Sequence, residues 1–119
     1  MSEPSTFMPR AGDVWITYLD PVVGREQHGN RPVVIVSANW FNDATGGNLV
    51  VVVPITSARK KYETHVPIQP SEANLDRESW AMCEQIRTLS PARFKRKRGE
   101  VSTETLQAIR ETINALLTE

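Results

Sequence analysis

Seven consecutive residues, Arg25-Glu26-Gln27-His28-Gly29-Asn30-Arg31, carry two guanidinium groups, a carboxylate, two amides and an imidazole. They run directly into the apolar stretch Pro32-Val33-Val34-Ile35-Val36. Arginine forks match the oxygens of a phosphate, and a nearby carboxylate can take up a proton. The pattern points to an anionic ligand held where a polar loop meets a rigid strand. Two further segments supply the same kinds of group: Pro54-Ile55-Thr56-Ser57 and Cys83-Glu84-Gln85-Ile86-Arg87-Thr88. Together, Arg, Thr, Glu and Gln could support phosphoryl transfer without a metal. Each also has a plain structural explanation. Arg31 could pair with Glu26, Thr56 could cap a turn, and Glu84 could pair with Arg87 on an exposed strand.

Other chemistries find little support. His28 and His65 are the only histidines and form no close ligand pair, and no Cys-x-x-Cys or His-Glu-x-x-His occurs. Phosphate-binding P-loops, dinucleotide fingerprints and nucleophile elbows are also missing, so no cofactor is expected. Cys83 is the single cysteine and reads as a small buried residue in mid-strand rather than an activated thiolate.

The net charge is zero but unevenly spread. Residues 58–100 carry ten Lys/Arg against six Asp/Glu, whereas residues 1–57 carry three against five. The dense points are Arg59-Lys60-Lys61 and Arg93-Phe94-Lys95-Arg96-Lys97-Arg98. Such a chain is a poor general coat for nucleic acid but could hold a short polyanion in a defined groove. The plain alternative makes both clusters solvated loops. No apolar run is long enough for a membrane span, and Met1 to Pro9 lacks the pattern of a secretion signal. The expectation is a cytoplasmic protein with a flexible tail over residues 1–9 and a single domain over 10–119.

The elements that must hold these groups are mostly strands. Asp13 to Leu19, Pro32 to Ser37 and Asn48 to Ile55 are rich in Val, Ile and aromatics. Their unbroken runs suggest burial on both faces. Ala38 to Asp43 reads as one helical turn, followed by a turn over residues 44–47. Thr64 to Gln69 reads as an edge strand because of Pro67. Ser79 to Leu89 reads as one strand, Ser90-Pro91 as the start of a short helical turn ending near Phe94, and Glu100-Val101 as a last short strand. Ser102 caps a C-terminal helix with Leu106, Ile109, Ile113, Leu116 and Leu117 on one stripe. The order predicts a small, mostly antiparallel sheet curled into a partly open barrel, with helices at its edge. Trp15 and Trp80 read as packing residues; Trp40 and Phe41 could stack on bases, but fit core or dimer packing better. His65 reads as structural or exposed.

Several of these segments, in order and spacing, resemble the MazF/PemK family of toxin endoribonucleases. They are Gly12-Asp13-Val14-Trp15, Leu19-Asp20-Pro21, Gly24-x-Glu26-Gln27-x-Gly29-x-Arg31-Pro32-Val33-Val34, Val53-Pro54-Ile55-Thr56-Ser57, Cys83-Glu84-Gln85-Ile86-Arg87-Thr88 and the terminal helix. The resemblance implies an SH3-like β-barrel of the kind shared with the CcdB-like plasmid maintenance toxins, acting as a homodimer. It implies metal-independent cleavage of single-stranded RNA, mainly messenger RNA, at a short preferred sequence. It also implies a MazE-like antitoxin that lays a flexible acidic segment across the RNA groove. The family's essential arginine falls on Arg31 and its essential threonine on Thr56. Glu26 and Glu84 are the candidate bases. Arg25, Gln27, Ser57, Arg59, Lys60, Lys61, Gln85 and Arg87 are the candidate RNA-contacting residues. Two departures stand out. Arg25 occupies a position where some members carry a catalytic histidine, and Met82-Cys83-Glu84-Gln85 stands where some carry Arg-Cys-Asp-Gln.

Two other classes stay open. One is a gyrase-poisoning toxin of the same fold, whose action depends on a Trp-Gly-Ile ending where this sequence reads Leu117-Thr118-Glu119. The other is an SH3-like peptide-binding module, in which the Arg/Thr/Glu/Gln set would have no task.

Overall fold

The computed structural model describes residues 8–19, 29–59 and 62–119. Of the expected tail, Met8 and Pro9 fall in this range, and Pro9 is buried. Strand β1 spans Asp13–Tyr18 and β2 spans Asn30–Ile35. A short helix, α1 (Asn39–Ala44), leads to β3 (Val50–Thr56). Then come β4 (His65–Ile68), β5 (Ser79–Met82), β6 (Arg87–Leu89), β7 (Phe94–Glu100) and the helix α2 (Thr103–Leu117). The strands form one seven-stranded sheet in the order β4-β5-β3-β2-β1-β7, with β6 also paired to β3. All the pairings are antiparallel. This is the expected mostly-β, partly open antiparallel architecture with a C-terminal helix. β4 lies at an edge, as Pro67 implied.

The unbroken apolar runs are explained by two cores, one on each face of the sheet. Side chains alternate along a strand. Val14, Val34, Val53 and Ile55 therefore point to a core shared with Ile109 of α2, with Leu106 and Ile113 packed against it. Val33, Ile35, Val50 and Val52 point the other way, to a second core with Leu19 and Leu89. The Trp15 and Phe94 rings stack at 5.2 Å beside this second core.

The start of α2 is fixed by a carboxylate clamp. Ser102 Oγ accepts from the Thr105 amide at 3.1 Å, a standard N-cap. Glu72 accepts from the Ser102 amide (2.7 Å), the Thr105 hydroxyl (3.0 Å) and the Gln69 amide (3.2 Å). Partial burial pushes the Glu72 carboxyl up, but these bonds outweigh it and hold it below its ordinary value of 4.5.

Three expectations are corrected. Residues 79–89 are not one strand, because a 3-10 turn over Cys83–Gln85 separates β5 from β6. From the Ile55–Ala81 pair to the Val52–Arg87 pair, β3 advances three residues while its partner advances six. The turn takes up the difference and lets the chain follow β3 as it passes between two parts of the sheet. Cys83 therefore sits in a turn, although it is buried as expected. The second basic cluster is no solvated loop: it forms most of β7, whose ladder is completed by β1. Lys97 reaches Asp13 (3.3 Å) and Glu100 (3.2 Å), and Arg98 reaches Asp76 (3.6 Å), so these cations are locally offset. Glu100 closes β7 rather than opening a separate strand. No helix among the described residues is long and apolar enough to cross a membrane.

Candidate active site

Pairing between β2 and β3 ends at Val33–Pro54. Pro54 has no amide hydrogen with which to continue the ladder. Beyond it, β2 stays with β1 (Thr17–Arg31) and β3 turns to β5 (Thr56–Trp80), so the sheet forks. Arg31 lies two residues past the last pair on one arm, and Thr56 two residues past it on the other. Directly opposed residues share a face, and so do residues two apart along a strand. Arg31, Val33, Pro54 and Thr56 therefore project to the same side. The arginine and the threonine of separate sequence segments thus share one face of the sheet, on the two arms of the fork.

Thr56 is half-buried, and its Oγ1 accepts from the Ala58 amide at 3.1 Å. It thus caps a turn and still has a hydroxyl hydrogen to donate. Arg31, Ser57 and Arg59 are exposed. Arg87 pairs with Val52, which turns its side chain to the Arg31 face, and its Nη1 lies 3.4 Å from the Leu19 carbonyl. Arg93 reaches the Tyr18 carbonyl at 3.3 Å, while its own carbonyl accepts from the Thr17 hydroxyl at 2.8 Å. Two guanidinium groups thus gather at the end of β1, the strand paired to Arg31. Arg93 was legible in the sequence only as one member of a basic cluster. Gln85 is half-buried with its amide 3.7 Å from Met82 Sδ. Arg25, Glu26, Gln27, Lys60 and Lys61 lie outside the described residues.

Glu84 does not join the fork. It stands at the β4–β5 edge, where Thr64 donates to Oε1 at 2.6 Å and His65 Nε2 lies 2.8 Å from Oε2. An ionised carboxylate only accepts, so His65 Nε2 is the donor in this pair. Partial burial pushes the Glu84 carboxyl up, but the bonds from Thr64 and His65 prevail and lower it. The result is a carboxylate whose two oxygens are already engaged by Thr64 and His65. The expected pairing of Glu84 with Arg87 is replaced by this one. The His65 side chain is only 3% exposed, with Tyr62 edge-on at 5.0 Å. Its link to Glu84 had no local signal in the sequence, because only the His65–Met82 strand pair creates it. Burial, then the Glu84 charge, pushes the Cys83 thiol up to about 12, so at neutral pH it is an inert thiol. Among the described residues no three His, Cys, Asp or Glu side chains come together as metal ligands.

A guanidinium and a hydroxyl on one face are side-chain types that bind phosphate oxygens. Comparison with known proteins points the same way. The family described as PemK-like, MazF-like toxin of type II toxin-antitoxin system matches residues 10–117. The chain is 36% identical over 110 residues to Endoribonuclease MazF of Staphylococcus saprophyticus subsp. saprophyticus, covering 92% of each. The crystal structure of MazF from Deinococcus radiodurans superposes with a TM-score of 0.79 at 28% identity, over 93% of this chain and 97% of that one. An endoribonuclease from Mycobacterial species, in complex with its cognate antitoxin, superposes with a TM-score of 0.76 at 28% identity, over 92% and 94%.

Proposed function

This chain belongs to the PemK-like, MazF-like family of toxins of type II toxin–antitoxin systems, and we propose that it is an endoribonuclease cutting single-stranded RNA without a metal. The ribose 2′-hydroxyl attacks the adjacent phosphorus while the bond to the 5′ oxygen breaks. The products are a 2′,3′-cyclic phosphate and a 5′-hydroxyl. Because the substrate brings its own nucleophile, no enzyme serine or cysteine is required, and DNA is not cut.

Arg31 stabilises the charge that builds on the phosphoryl oxygens. Its guanidinium stays protonated at ordinary pH, so it is not the base. Thr56 donates its hydroxyl hydrogen to the phosphate and fixes it in line. Glu26, five residues before Arg31 in sequence, is the base that takes the 2′ proton. Glu84 is disfavoured in that role, because its carboxylate is already held by Thr64 and His65. Arg59 and Arg87, with Ser57 and Gln85, are the RNA-contacting residues of this reading, and Arg25, Gln27, Lys60 and Lys61 are assigned to the same task from the sequence alone.

The observation that carries this reading is the fork, with Arg31 and Thr56 on its two arms and on one face. The partner chemistry follows from the same surface. An acidic antitoxin segment fits a cationic groove and excludes RNA from it. Ile86, Leu116 and Leu117 are large exposed apolar side chains, which suits association with a second copy. The test is to incubate the purified protein with a long single-stranded RNA in excess chelator and map the ends. Discrete cuts bearing a 5′-hydroxyl are expected. Cleavage that requires added metal, or cuts bearing a 5′-phosphate, would overturn the mechanism.

A further inference from the structure

Of the three tryptophans, two have evident partners. Trp15 stacks on Phe94 and its indole Nε1 lies 3.4 Å from Asp13 Oδ2. Trp40 stands edge-on to Phe41 on α1. Trp80 has no ring partner and no side-chain hydrogen bond among the described residues, yet it is only half-buried. Its position is specific. It pairs directly with Thr56 on one side and with Pro67 of the edge strand on the other. Direct pairing puts its side chain on the Thr56 face, about one strand spacing (~4.8 Å) from that residue. The row across the fork therefore runs Phe94, Thr17 and Arg31 on one arm, then Thr56, Trp80 and Pro67 on the other. Pro67, the paired neighbour on the outer side of Trp80, is exposed and apolar.

We propose that Trp80 is a base-stacking residue for the RNA, holding the base of the nucleotide on the β5 side of the scissile phosphate. The proposal rests on the nuclease reading above. Aromatic stacking suits any base, because every base has a π-face. The indole thus grips the strand next to the cut without choosing its sequence, and it pulls one nucleotide taut while Thr56 holds the phosphate. It is a binding residue, separate from the groups that act on the phosphate.

The test uses the full chain and a uniformly 2′-fluoro RNA pool of mixed sequence, which has no 2′-hydroxyl to attack. Trp80→Leu is expected to weaken binding by about 5- to 150-fold, the range of one lost base–aromatic stack. The dependence of binding on salt should stay the same, because no phosphate contact is lost. Trp80→Phe keeps most of the affinity. It also removes most of the tryptophan fluorescence quenching that RNA causes in the wild type, a readout that remains if Trp80→Leu fails to fold. Wild-type binding by the Leu variant, or quenching unchanged in the Phe variant, overturns the assignment. A wild-type protein that cuts natural RNA while the Leu variant binds normally sinks this proposal alone. One that neither binds nor cuts RNA sinks the nuclease reading together with it.

Discussion

The fork makes a quantitative demand on Arg31 and Thr56, because both are assigned to one phosphate. Arg31 is exposed, so water competes with it before RNA arrives, and its value lies in charge that develops during the reaction. Loss of one such donor slows reactions of this kind by about 10²- to 10³-fold. Arg31→Ala is expected to fall in that range. Thr56→Val keeps the shape and removes a neutral hydroxyl, which at about 0.5–1.5 kcal/mol predicts a loss nearer 10-fold. The Ala58 amide that loses its acceptor is exposed, so water replaces the threonine and the fold is barely affected. The informative variant is the double one. Changes at distant, independent sites add within about 0.3–0.5 kcal/mol. Two groups aligning one phosphate should not: once Arg31 is gone the phosphate is poorly placed, and Thr56 has less to lose. The double variant should therefore be faster than the product of the single losses by about 3-fold or more. The assay is single-turnover cleavage of an end-labelled single-stranded RNA, with thermal melts to verify folding. Strict multiplication of the two losses, or full activity in folded Arg31→Ala, would refute a shared phosphate.

Other consequences can be checked separately. Glu26→Gln should slow cleavage by about 10²-fold or more, as for loss of a general base, whereas Glu84→Gln should cost less than about 10-fold; the reverse ranking in the same assay would move the base to Glu84. Arg59→Ala should lessen the slope of log affinity against log salt by about 0.7, the value for one phosphate contact on a single strand, measured on 2′-fluoro RNA; an unchanged slope returns Arg59 to solvent. Glu72→Ala should lower stability by about 1 kcal/mol through loss of the α2 clamp, read from chemical denaturation. Because the Glu72 carboxyl is held below its ordinary value of 4.5, its contribution is complete above that pH and disappears as the pH falls through the folded value. The difference between wild type and variant should therefore shrink on acidification below about 4.5; a constant difference would contradict the clamp.

Much of this protein is written in local pattern. The Val/Ile runs of β1, β2 and β3 and the apolar stripe of α2 needed only side-chain chemistry and periodicity to be read. Arg31 and Thr56 were likewise visible as reactive types at strand ends. Pairing decided the rest. Phe94 to Arg98 has no apolar alternation, yet it lies in a strand, because β1 offers it a ladder and Asp13 and Glu100 offset the Lys97 charge. Cys83–Gln85 breaks residues 79–89 because β5 and β6 must track two stretches of β3 that are three residues out of step. The shared face of Arg31 and Thr56, the pairing of Trp80 with Thr56 and the meeting of His65 with Glu84 come from the same source. Residue type and period fix what a segment prefers, but strand register fixes which distant segment it meets, and that depends on partners far along the chain.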